Sequence, residues 1–111
     1  MKKQFKPFSG EWRITEMEMW DQDFVNLLAP GFIIFDDDGY GSFQFGAVVG
    51  DIDARVELYD TIPRLQFSWL GSDDGDDTCG RGWCVIEEGE LRGRLYFHMA
   101  DDSVFRASKK K

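Results

Sequence analysis

The chain has 111 residues, enough for one domain whose core buries roughly two thirds of the surface its unfolded form exposes. With 21 acidic against 13 basic side chains and a formal net charge of -8, it lacks the cationic surface that grips nucleic-acid phosphates or anionic membranes. No stretch approaches membrane-spanning length and MKKQFKPFSG carries no apolar run behind its basic start, so a cytoplasmic protein is expected.

Aromatic residues make up 15% of the chain, and they favour pleated, half-buried surfaces, so the expectation is an all-β fold. Turn signals recur about every ten residues, the rhythm of a sandwich or barrel. Strands are expected near 11–19, 32–36, 40–46, 50–59, 64–70, 82–87, 91–98 and 103–107. The first poses a problem. If Trp12 and Ile14 point inward, strict alternation buries Glu16 and Glu18, which is expensive without partners. A β-bulge near Thr15 would turn Met17 and Met19 inward instead, and without it Glu16 becomes a polar group in the cavity.

In DQDFVNLLAPG (21–31) the period changes: Phe24, Leu27 and Leu28 stand at i, i+3 and i+4 behind a fit N-cap, Asp21, and before Pro30-Gly31. A short helix is expected there. The DDDG of 36–39 reads as a hairpin turn with Gly39 at positive φ. Over 52–59, Ile52, Ala54, Val56 and Leu58 alternate with polar residues, and Leu65, Phe67 and Trp69 repeat the pattern, as do Phe43 with Phe45 and Leu95 with Phe97. GSDDGDDTCG (71–80) reads as a long solvated loop, since it lacks the order of carboxylates that an EF-hand calcium loop requires. Cys79 and Cys84 have neither CxxC nor zinc-knuckle spacing and read as two reduced thiols. Both ends read as short disordered segments, with 108–111 a basic tail.

Eight antiparallel strands with short connections suit an up-and-down meander, and closing it into a barrel removes both exposed edges. First and last strands then become neighbours. Trp12 and Arg106 are accordingly expected to meet as a cation–π pair on the barrel floor. Counting hairpins places the termini, DDDG, DTIPR (60–64) and EEGE (87–90) at that floor, and the helix, GAVVG (46–50), the acidic loop and ADD (100–102) at the mouth.

The opening FSGEWRI (8–14) resembles the G-x-W signature that starts the first strand of lipocalins and other calycin barrels, and Arg106 sits where those families set a basic residue against that tryptophan. The helix after the first strand is similar to the lid of their fatty-acid-binding branch. The chain is shorter than typical members and most resembles small bacterial proteins of this shape, so the resemblance implies a fold and no activity.

The stretch FHMADDSVF (97–105) brings the single histidine, His98, close in sequence to Asp101, Asp102 and Ser103. A hairpin tip, with the aspartates drawn by the turn, accounts for it without catalysis. The sequence therefore favours a non-enzymatic binding module for a small apolar or aromatic ligand, held among Glu16, Phe43, Phe45, Phe67, Trp69 and Phe97, with no cofactor and no metal implied. The alternative is a structural or interaction protein with a filled barrel, homodimeric through outward residues such as Tyr59, Leu70 and Tyr96. Cavity volume separates the two.

Overall fold

The computed structural model describes residues 3–110. Its strands are β1 (Gly10–Met17), β2 (Phe32–Phe35), β3 (Tyr40–Phe45), β4 (Val48–Tyr59), β5 (Ile62–Asp73), β6 (Asp76–Glu87), β7 (Glu90–Phe97) and β8 (Asp102–Lys109), joined in chain order into a closed antiparallel barrel. Burial alternates along the strands, with inward positions mostly apolar, and the core is the barrel lumen. Among the described residues no helix is long and apolar enough to cross a membrane.

Three connections are two-residue hairpins whose turn residues both sit at positive φ: Asp60-Thr61, Asp74-Gly75 and Glu88-Gly89. This geometry matches the right-handed twist of the flanking strands and selects Asp and Gly. The second corrects the expected acidic loop. Residues 71–80 continue the β5–β6 ladder through the pairs Ser72–Asp77 and Asp73–Asp76, leaving only Asp74-Gly75 as turn.

The lumen is filled by rings, and inward-facing glycines on neighbouring strands make room for them. A Cβ at Gly82 would stand 2.4 Å from Phe67 Cζ, and one at Gly50 would stand 2.6 Å from Phe43 and 2.9 Å from Trp69. Aromatic residue and glycine are thus one packing unit across adjacent strands.

The expected bulge is present. The β1–β8 register shifts between Ile14 and Glu16, so Met17 turns into the core while Glu16 and Glu18 stay exposed. Met19 does not follow Met17 inward. It lies beyond the strand and is half exposed, its N–H donating to Ser103 Oγ at 3.1 Å.

Between β1 and β2 the helix is a single turn, α1 (Gln22–Val25), capped as expected by the Asp21 carboxylate, which accepts from the Phe24 N–H. Its buried residue is Val25, whereas Leu27 and Leu28 are 62% and 68% exposed, because the helix stops before they could share its inner face. The turn closes the seam where β1 and β2 separate: Gln22 donates to Ile14 O, Ile14 N to Gly31 O, and Gly46 N to Val25 O.

At the opposite end a 3₁₀ helix, Lys3–Phe8, plugs the floor with buried Phe5 and Phe8, where a disordered end was expected. Trp12 is buried there and its indole N–H donates to Phe8 O at 2.8 Å. The Trp12–Arg106 pair does not form. Strand β8 runs on to Lys109, the bulge sets Arg106 opposite Glu16, and Arg106 faces outward beside Glu90, their N and O atoms 3.7 Å apart. Lys109 takes the place, pairing with Trp12 in the ladder with its Nζ 4.6 Å from the ring centroid. The expected tail over 108–110 is therefore ordered, with Lys110 N donating to Glu11 O at 2.9 Å, and Lys111 lies outside the described residues.

Candidate functional site

The five aromatic residues singled out in the sequence lie inside the barrel, but they pack on one another. Trp69 meets Phe43 edge-on at 5.0 Å and Phe97 at 5.1 Å, Phe43 stacks on Phe45 at 6.0 Å, and Phe67 lies deeper against Phe35 at 6.4 Å. Such offset and T-shaped contacts suit the ring quadrupole. The void left among Met17, Phe43, Phe45, Leu95 and Phe105 is about 10 Å³. That is water-sized at most, and ligand pockets run to hundreds of cubic ångströms. Glu16 is not among these rings. It stands on the outer surface beside Glu18 and Arg106, carried there by the bulge.

The histidine, serine and aspartates of FHMADDSVF do not assemble either. Ser103 points inward and is fully buried, its hydroxyl donating to Val104 O and accepting from Met19 N. His98 points outward and is exposed. Asp102 is held by Arg94 at 2.5 Å, and Phe97 N donates to Asp101 O across the turn. The sheet separates nucleophile from base, so the segment is a hairpin tip.

At the mouth these elements do build a pocket, of about 360 Å³, that includes Trp20, Phe97, Asp73, Asp76, Asp77 and Asp101. Trp20 follows the bulged strand and precedes the α1 cap, and it leans on the ring cluster at 5.0 Å from Phe45 and 6.0 Å from Phe97. Both Trp20 and Phe97 remain half-buried, so part of their surface faces the pocket. Asp73, Asp76 and Asp77 come from the β5–β6 hairpin and Asp101 from the β7–β8 turn. None of the four is in an ion pair among the described residues. Aromatic surface below and unpaired carboxylates around it favour an organic cation, which the ring quadrupole and the negative charges attract together.

Sequence reading placed the aspartates and Phe97 at the mouth but passed over Trp20. Its signal was an aromatic residue immediately before a helix cap, which after the bulge has to fall at the rim. Among the described residues no three His, Cys, Asp or Glu side chains are arranged to hold a metal ion.

No family model, no curated protein and no solved structure matches this chain.

Proposed function

We propose that this protein is a non-enzymatic binding module whose ligand sits at the barrel mouth, and that the ligand presents an organic cation, such as a quaternary ammonium or the basic side chain of a partner. The observation that carries this reading is the mouth pocket, where Trp20 and Phe97 share the lining with four carboxylates that have no basic partner among the described residues. The small apolar ligand expected from the sequence would need lumen space, and the void there is about 10 Å³. Kinship with the calycin barrels belongs to the same proposal, supported by the G-x-W opening of β1 and by barrel closure.

The test is calorimetric titration with choline and with its neutral isostere 3,3-dimethylbutan-1-ol. Choline should bind at least about tenfold more tightly, weaken as salt is added, and lose about tenfold on Trp20→Ala, the size expected for a partly desolvated cation–π contact. Equal affinity for the two compounds, or binding of neither, contradicts the proposal.

A second reading, an interaction domain with a filled barrel, is favoured by the floor end, where Leu58, Tyr59 and Ile62 of the β4–β5 hairpin expose apolar surface. Of the outward residues expected to form a dimer face, Leu70 is exposed and Tyr59 partly so, while Tyr96 is half-buried with Arg81 over its ring. Sedimentation velocity across a concentration series decides this reading: a dimer abolished by Leu58→Asp supports it, and a monomer throughout removes it.

A further inference from the structure

The outer face of β5, β6 and β7 carries a second concavity, separate from the mouth. Register sets Ser68, Arg81 and Tyr96 in one row across the three strands, and Leu70 opposite Cys79 in the next. His98 N donates to Cys79 O at 2.8 Å, so His98 is the β7-side neighbour of Cys79. Outward side chains of directly opposed residues have Cβ atoms about 5 Å apart. Ser68, Cys79, Arg81, Tyr96, His98 and Met99 line the resulting groove, of about 610 Å³.

Two features set this groove apart in a chain with 21 acidic residues: no carboxylate is among its lining residues, and its cation is in no ion pair among the described residues. Arg13, Arg55, Arg92, Arg94 and Arg106 each sit in an ion pair and Arg64 is held over the Tyr59 and Trp83 rings at 4.4 and 4.3 Å, whereas Arg81 lies over the Tyr96 ring alone, at 5.4 Å, with no ion pair among the described residues. The flanking acids in the same row, Asp53 and Asp102, are held by Arg55 at 2.6 Å and Arg94 at 2.5 Å. The register makes Cys79 and His98 cross-strand neighbours and sets Arg81 two positions along β6, and a thiol flanked by an imidazole and a guanidinium is the environment in which a cysteine exchanges with disulfides and an anion is held nearby. The second cysteine is the opposite case. Cys84 points into the lumen and is fully buried.

We propose that Cys79 is a thiol-exchange site for small disulfides that carry carboxylates, with Arg81 positioning the anion and His98 taking the thiol proton. The Cys79 Sγ–H bond gives its proton to the imidazole, and the sulfur attacks one sulfur of the disulfide. That S–S bond breaks, and the departing thiolate recovers the proton from the imidazolium. The products are a mixed disulfide on Cys79 and one free small thiol.

The test is intact-mass spectrometry and peptide mapping of the folded protein after incubation with glutathione disulfide or with the neutral bis(2-hydroxyethyl) disulfide. One adduct is expected, on Cys79. Arg81→Gln should slow the reaction of glutathione disulfide by about tenfold, the scale of local electrostatic steering, and leave the neutral disulfide within about twofold. His98→Gln should slow both. No adduct, an adduct on Cys84, equal slowing of the two disulfides by Arg81→Gln, or no effect of His98→Gln overturns the assignment.

Discussion

Lys109 stands directly across the β1–β8 seam from Trp12, with its ammonium 4.6 Å from the centre of the indole ring and its Nζ donating to Ser9 O. The contact joins the last strand to the first where the 3₁₀ helix seals the floor, so it reports on barrel closure itself. Lys109→Ala should destabilise the fold by about 1 kcal/mol, the scale of an exposed cation–π contact plus lost stem packing. Arg106→Ala should change stability by less than about 0.5 kcal/mol, since its partner Glu90 is 3.7 Å away on the surface. Urea midpoints of the two variants give the comparison, and the reverse ranking would contradict the register.

Gly82→Ala should cost about 1–3 kcal/mol, as overpacking does in a filled core. The added methyl would meet Phe67 Cζ at 2.4 Å and Arg94 O at 2.8 Å, and backbone cannot move aside as a side-chain tip can. An unchanged thermal midpoint would mean the lumen has slack.

Ser103 is the buried polar side chain that ties the end of the bulged segment to β8. Ser103→Ala should cost about 1 kcal/mol, the net worth of the lost hydrogen bonding. Amide exchange at Met19 should accelerate, and protection equal to wild type would show that its N–H has another partner.

Burial holds the Cys84 thiol protonated, pushing its pKa far up from the usual thiol range. The unfolded thiol releases its proton near pH 8.5 and the folded one does not, so the contribution is complete below that pH and shrinks as pH rises above it. The stability difference between wild type and Cys84→Ala should therefore fall by about 1.4 kcal/mol per pH unit above about pH 9. Paired urea titrations at pH 7 and pH 10 measure it. A pH-independent difference would place the thiol in contact with solvent.

Which parts of this fold the sequence discloses follows from how local their causes are. The alternation over Ile52, Ala54, Val56 and Leu58 is a period-2 signal within one strand, and the bulge at Thr15 follows from the cost of burying Glu16 and Glu18. The β5–β6 hairpin hides because Asp and Gly, which usually mark loops, here also occupy the outer and inner positions of paired strands. Lys109 was misread as tail, and Arg106 preferred to it, because the last strand was expected to end at 107, whereas the pairing with β1 that carries β8 on to Lys109 is a property of two strands and is written in neither. Phe5 and Phe8 did carry a signal, two rings three residues apart just before β1, but their partner is the floor, which exists only once the barrel closes. The mouth pocket was half legible for the same reason. Its aspartates cluster in sequence, whereas Trp20 and Phe97 meet only in three dimensions.

The most direct measurement of the central claim, a filled lumen with recognition at the mouth, is a two-dimensional NMR titration with choline that follows the indole N–H groups and the backbone amides. The account predicts shifts at the Trp20 indole and the amides of Phe97, Asp76, Asp77 and Asp101, while the Trp12 indole on the floor stays fixed. Shifts centred on Phe43, Leu95 and Phe105, which surround the small void in the lumen, would contradict it.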